Sequence, residues 1–217
     1  MSGFGELVLL LGDLHIPHRC ATPKFPEKFQ RMLVPNKMQH VLCTGNLGAS
    51  TTGTAAYEEL IRPLAPNVHV VAGDYDAVCN PNNNFPETKV LQIGQFRIGL
   101  VHGHQIVPWG EHASLATMRR KLDVDILVHG HTHKAEVVEH EGYYHINPGS
   151  ITGAYSNASS ATCNGRTTDV DVIPSFILLS VQGSKVVAYT YELKNDEVEV
   201  GKTEFSKNHD SILHAVG

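Results

Sequence analysis

The chain has 217 residues, 41% of them hydrophobic, which suits one domain over 1–217 with a sizeable core. Its formal charge of -5 gives no electrostatic case for nucleic acid or an acidic membrane surface. No apolar run is long enough to span a bilayer, residues 1–6 lack the basic and apolar regions of a signal peptide, and the four cysteines (Cys20, Cys43, Cys79, Cys163) form no CxxC pair, so a reduced, cytosolic setting is expected.

Residues 7–11 read as a buried strand and 26–33 as a short helix, with Pro35 soon after it. A strand at 40–43, a helix at 54–64 closed by Pro66, and a strand at 68–72 complete a βαβαβ alternation, which implies parallel strands. Hairpins then dominate: 89–93 with 96–102 around Gly94-Gln95, 135–139 with 143–147 around Glu141-Gly142, and 175–181 with 185–193 around Gln182-Gly183-Ser184. Between them lie a helix at 111–122, with Leu115, Met118 and Leu122 at helical spacing, and a strand at 126–129. Residues 156–171 read as a mobile surface loop, 197–205 as an edge strand and 206–217 as a flexible tail. Two mixed sheets stacked face to face with helices outside accommodate both halves.

Five short pieces each follow a strand-like run: Asp13-Leu14-His15, Asn46, Asp74-Tyr75-Asp76, His102 and Gly130-His131-Thr132-His133. Ligands of open α/β sheets bind beyond the carboxyl ends of strands. His131 and His133 share one side of an extended segment, because alternate side chains face the same way. Carboxylate, amide and imidazole donors suit Mn²⁺, Fe²⁺ or Zn²⁺, and two such ions about 3.5–4 Å apart can clamp a phosphate and activate water. Each piece alone is a weak signal; their joint occurrence at strand ends is strong. His40, His69, His140, His145, His209 and His214 lack such placement and read as solvent-facing or core residues, and His129 reads as structural.

The order Asp-x-His, Gly-Asn, Gly-Asp-x-Asp, His-Gly, Gly-His-x-His resembles the calcineurin-like metallophosphoesterases. Longer pieces at 12–20, 43–47, 102–105, 108–110 and 146–150 resemble one branch of that superfamily, the small subunits of retromer, over about 6–205. The resemblance implies a four-layer α-β-β-α sandwich with 156–171 as an insertion. It implies one metal position at Asp13, His15, Asn46 and His133 and another at Asn46, Asp74, His102 and His131, with Asn46 as the bridge. The cofactors implied are two weakly held divalent ions, zinc or manganese, with an ion-free cluster in the cell as the alternative.

The chain departs from the active pattern in three places. Active members carry aspartate at the bridge and asparagine at position 74, and here Asn46 and Asp74 exchange those roles. A histidine that would protonate the leaving group is replaced by Tyr75, leaving Asp76 with no imidazole to orient. Ala49 stands where a second acid is usual. The stretch Ile106-Val107-Pro108-Trp109 puts apolar residues where a phosphate mouth would have Arg or Lys.

The resemblance therefore implies no catalytic residue and a scaffold that sorts cargo from endosome to Golgi. The implied partner at Ile106, Val107 and Trp109 is the α-solenoid retromer subunit, vacuolar protein sorting protein 35. Rab-regulating proteins would dock on a patch of Leu7, Leu33, Leu178, Tyr189 and Tyr191, whose competing reading is core packing. Membranes would be reached only through the complex, on endosomes. The alternative reading is a weak metal-dependent phosphodiesterase.

Overall fold

The computed structural model describes residues 5–19, 24–48, 56–76, 84–156, 161–163, 166–168 and 172–207. In chain order the elements begin β1 (Glu6–Leu11), α1 (Glu27–Met32), β2 (His40–Cys43), a helical stretch over Tyr57–Ile61 and Arg62–Leu64, and β3 (Asn67–Val70). There follow β4 (Thr88–Ile93), β5 (Phe96–Val101), α2 (His112–Leu122), β6 (Ile126–Val128), β7 (Ala135–His140) and β8 (Tyr143–Pro148). The last are β9 (Ala161–Cys163), β10 (Arg166–Thr168), β11 (Ser175–Gln182), β12 (Lys185–Lys194) and β13 (Glu197–Ser206).

One sheet runs β13-β12-β11-β1-β2-β3, and the other β4-β5-β6-β8-β7. β1, β2 and β3 are parallel, as are β5, β6 and β8, while the hairpins add antiparallel strands. Both sheets are therefore mixed, as the element order predicts. β1 shows why its apolar run does not alternate. Leu9 and Leu11 join an outer core with Phe29 of α1, while Val8 and Leu10 join the core between the sheets. A strand covered on both faces needs apolar residues at every position.

The second sheet contributes Phe96, Ile98, Leu100, Ile126, Val128 and Ile146 to the inter-sheet core. Its far side carries Val101 and Leu127 against Leu115 of α2. Helix, sheet, sheet and helix thus form four layers. α2 starts where Glu111 accepts a 2.7 Å hydrogen bond from the Ser114 N–H, an N-cap that satisfies one orphan donor. Asp123 ends it in a left-handed turn.

Two expectations need correction. The helix expected over 54–64 is a π-helical turn at Tyr57–Ile61 tightening to a 3-10 turn at Arg62–Leu64, with 54 and 55 outside the described residues. Pro63 has no N–H to continue an α-helical ladder. The loop expected at 156–171 holds a small ladder, with Thr167 opposite Thr162. Ser/Thr-rich composition gives no apolar periodicity from which to read a strand. Most of the expected tail, 208–217, lies outside the described residues, as do Ala49, Cys20 and Cys79.

Candidate metal centre

The parallel strands of both sheets end on the same edge, and the chain turns sharply there. Asp13, His15, Asn46, His131 and His133 all have positive φ, between 49° and 71°. Non-glycine residues in this region cost about 1–3 kcal/mol each where the surroundings enforce it, and such strain concentrates at functional sites. The surroundings here are hydrogen bonds. Asp13 N donates to Gly45 O at 3.0 Å, His15 N to Asn46 O at 2.8 Å, and Gly130 N to His102 O at 2.7 Å. The two sheets are stitched by the His131 N–H donating to Asp13 Oδ2 at 3.0 Å. Gly73 lets the third loop approach: a Cβ there would lie 2.1 Å from Asn46 Oδ1.

Six side chains gather as two triads, Asp13-His15-His133 and Asp74-His102-His131, each with donor atoms within 4.8 Å of one another. His133 Nε2 lies 3.3 Å from Asp13 Oδ1, and His102 Nε2 lies 3.1 Å from Asp74 Oδ1. The tautomers follow from the outer partners. His102 Nδ1 donates to Thr44 O at 2.7 Å and His133 Nδ1 to Ala154 O at 2.5 Å. A carbonyl only accepts, so both rings carry their proton on Nδ1 and aim Nε2 inward, as metal-ligating histidines do. His131 turns Nδ1 toward Asp74 Oδ1, 3.8 Å away. Donor chemistry and ring orientation fit a pair of divalent ions.

Asn46 stands between the triads. Its Nδ2 donates to Asp74 Oδ1 at 2.9 Å and lies 3.5 Å from Asp13 Oδ1, 3.3 Å from His15 Nε2 and 3.1 Å from His102 Nε2. Its Oδ1 accepts the Tyr75 N–H at 2.9 Å. That N–H can only donate, so it sets the amide orientation. The expected bridging oxygen is therefore turned away, and the amide itself links the two triads through N–H groups. Acting as an oxygen ligand would require an amide flip that sets the Asn46 NH₂ against the Tyr75 N–H.

Electrostatics hold the cluster together. Burial pushes the Asp13 carboxyl up, but the charges of His133 and His102 outweigh it, and the group sits well below its usual range. Asp74 is lowered mainly by its hydrogen bond to His102. Burial opposes charge on His102 and His133, yet the facing carboxylates leave both raised. His131 is pushed down to about 4, first by burial and then by His102.

Two residues carry roles that sequence reading missed. Asp76 is not idle: its carboxylate accepts N–H groups from Asn46 at 2.8 Å, Leu47 at 2.9 Å and Gly73 at 2.8 Å. It brackets two of the ligand loops. Arg19 lines the cavity beside the triads, about 260 Å³ in volume, with His15, Asp74, His104, Trp109 and Ser156. Its guanidinium lies 4.4 Å from the centre of the Tyr75 ring, so the mouth does contain a cation. The 12–20 piece contains Arg19, but the sequence did not mark it as part of the mouth.

The rim divides. Val107 is 71% and Trp109 50% exposed, whereas Ile106 is buried among Val101, Leu115 and Leu127 and anchors the loop instead of offering contact. Trp109 packs edge-on to His131, with ring centres 4.6 Å apart, so the rim touches the metal centre directly. On the outer face of the first sheet, Leu178 pairs with Tyr189, and Tyr191 stacks on Phe176 at 4.6 Å. Leu7, Leu178, Tyr189 and Tyr191 are half-buried there, while Leu33 is buried in the core under α1.

Residues 7–170 match the calcineurin-like phosphoesterase superfamily domain. Vacuolar protein sorting-associated protein 29 of Schizosaccharomyces pombe is 37% identical over 201 residues, covering 93% of this chain and 98% of that protein. The structure of Vacuolar Protein Sorting 29 from Cryptosporidium parvum is 43% identical with a TM-score of 0.80, covering 94% of this chain and all of its own. Wild-type Vps29 from Entamoeba histolytica, crystallised with Zn²⁺, is 42% identical with a TM-score of 0.77 over 92% of this chain and 99% of its own. With its two mixed sheets, strand-end triads and end-to-end likeness to these proteins, the chain belongs to the vacuolar protein sorting-associated protein 29 family of the calcineurin-like phosphoesterase superfamily.

Proposed function

We propose that the chain is a non-enzymatic scaffold subunit of retromer, joined to the α-solenoid subunit through Val107 and Trp109. The observation that carries this reading is the Val107–Trp109 rim, exposed and apolar, packed directly against the metal centre. A protein seated there covers the cavity a phosphate ester would need. Tyr75 supports the same reading, since it puts a phenol where an active member carries an imidazole, while the Asp76 carboxylate accepts three backbone N–H groups instead. In this proposal the centre holds zinc or manganese weakly, Rab regulators use the Leu178, Tyr189 and Tyr191 face, and the chain reaches endosomal membranes through its partners.

The test is co-purification with the solenoid subunit. Val107→Asp places a carboxylate on an exposed rim, so it leaves the melting temperature unchanged and abolishes binding. Undiminished binding would overturn the scaffold reading. A second reading, a weak phosphodiesterase, is favoured by Arg19 in the cavity beside two complete triads. It requires turnover of an aryl phosphodiester with excess Mn²⁺, lost in Asp13→Ala.

A further inference from the structure

The mouth of the cavity carries a cation that no carboxylate neutralises among the described residues. Arg19 follows the turn that places Asp13 and His15, and its backbone N–H donates to His15 O at 3.1 Å. Its guanidinium lies 4.4 Å from the centre of the Tyr75 ring and 5.4 Å from that of Tyr155. Among the described residues it forms no ion pair and no side-chain hydrogen bond. The carboxylate that lines the cavity with it, Asp74, is already met by His102 at 3.1 Å and by the Asn46 amide at 2.9 Å.

The surroundings of this cation are exposed and aromatic. Tyr75 is 37% and Tyr155 50% exposed, and Trp109 lines the same cavity while also forming the rim. Arginine, tyrosine and tryptophan are the residues enriched where protein partners bind most strongly. The two tyrosine rings confine the guanidinium without taking up its N–H donors. Confinement of this kind favours binding, because part of the rotamer entropy of a long side chain is spent before a partner arrives.

We propose that Arg19, walled by Tyr75 and Tyr155, is the charged anchor of the docking surface and pairs with an aspartate or glutamate side chain of the protein seated on the Val107–Trp109 rim. The inference rests on the scaffold reading and extends its surface across the mouth of the cavity. Its argument is one of charge. A protein that covers this mouth takes Arg19 out of water, and a desolvated cation left unpaired is strongly unfavourable. A carboxylate removes that penalty, since it accepts parallel N–H bonds from a guanidinium in one plane. Because Trp109 belongs to both rim and cavity, one partner segment with an apolar and an acidic residue spans the two.

The test uses the full chain and the purified solenoid subunit. Calorimetry should show Arg19→Gln binding at least about 30-fold more weakly than wild type, the smaller end of the loss when one member of a buried charge pair is removed. Far-UV circular dichroism and melting curves check that the variant folds. Arg19→Lys keeps the charge and introduces an amine, so a carbodiimide applied to its complex should join residue 19 to an acidic residue of the solenoid subunit, read as a cross-linked peptide by mass spectrometry. Absence of either result overturns the anchor.

Val107→Asp separates this failure from that of the scaffold reading. If Val107→Asp abolishes binding while Arg19→Gln binds as wild type does, the anchor falls and the scaffold stands. If the wild type itself does not bind, both fall. A titration with sodium phosphate whose heat is lost in Arg19→Gln, alongside unchanged solenoid binding, would overturn the proposal in favour of a small anion at Arg19.

Discussion

Asn46→Asp tests the central geometry, because it replaces the N–H groups that join the two triads with a carboxylate oxygen. That oxygen would lie about where Nδ2 is, 2.9 Å from Asp74 Oδ1 and 3.5 Å from Asp13 Oδ1. At an effective dielectric of about 20, each repulsion is about 5 kcal/mol, so the pair rivals the whole stability of a domain, about 5–15 kcal/mol. The metal-free variant escapes by binding a proton. Protonating a carboxyl of reference pKa about 3.9 costs about 4 kcal/mol at pH 7 and about 1.5 kcal/mol at pH 5, which caps the loss.

The sign follows. The introduced carboxyl has a raised pKa in the folded state, so the native state binds the extra proton, and destabilisation is small near pH 4 and grows as pH rises. At about 2–4 °C per kcal/mol, the metal-free variant should melt up to about 8–16 °C below wild type at pH 7, and about 3–6 °C below at pH 5. Added Zn²⁺ should reverse the order, since a carboxylate between two cations screens their repulsion. Melting curves at both pH values and calorimetry with ZnCl₂ make the measurement. Metal-free melting within about 1 °C of wild type at both pH values, a small fraction of the expected shift, with unchanged zinc affinity, would refute the placement of Asn46.

Tyr75→His should not restore hydrolysis of an aryl phosphodiester with Mn²⁺, because Asn46 still sets an amide, not a bridging carboxylate, between the triads; a gain of about 10²–10⁴-fold, the worth of a placed general acid, would contradict this. Acid should destabilise the fold before carboxylates titrate. Burial first holds His129 at about 3 and His145 at about 4, so below about pH 6.5 the unfolded chain binds the extra protons, and stability falls by about 1.4 kcal/mol per pH unit for each. Urea titrations from pH 7 to 5 should show that slope, flattened in His129→Asn. Tyr191→Ala removes the ring stacked on Phe176 and should cost about 1–2 kcal/mol while abolishing binding of a Rab regulator; retained binding would return this face to a purely structural role.

Much of this architecture was legible because it is written in local pattern. β2 was expected at 40–43 and is found at His40–Cys43, and the strand ends carrying Asp13, Asn46 and His131 followed from apolar runs stopped by glycine. What escaped was whatever depends on orientation. Sequence names Asn46 as a donor to the site but not which atom it presents; the Tyr75 N–H decides that. Sequence marks Asp76 as an acid without an imidazole, while the fold turns it to three amides. Arg19 lies within the 12–20 piece, yet nothing in that pattern says that its guanidinium folds over the Tyr75 ring.

These orientations bear on the opposition between enzyme and scaffold more than the ligand list does. Both triads are complete, so the ligand set alone does not decide between the two readings. The groups around the triads bear on the choice. The amide of Asn46 occupies the centre as a donor, Asp76 is diverted to the backbone, and Tyr75 lies under Arg19 at the mouth. Each arrangement suits a rigid polar floor beneath the Val107–Trp109 rim. If the scaffold proposal holds, rigidity there favours binding, because a preformed rim spends less side-chain entropy when a partner seats on it.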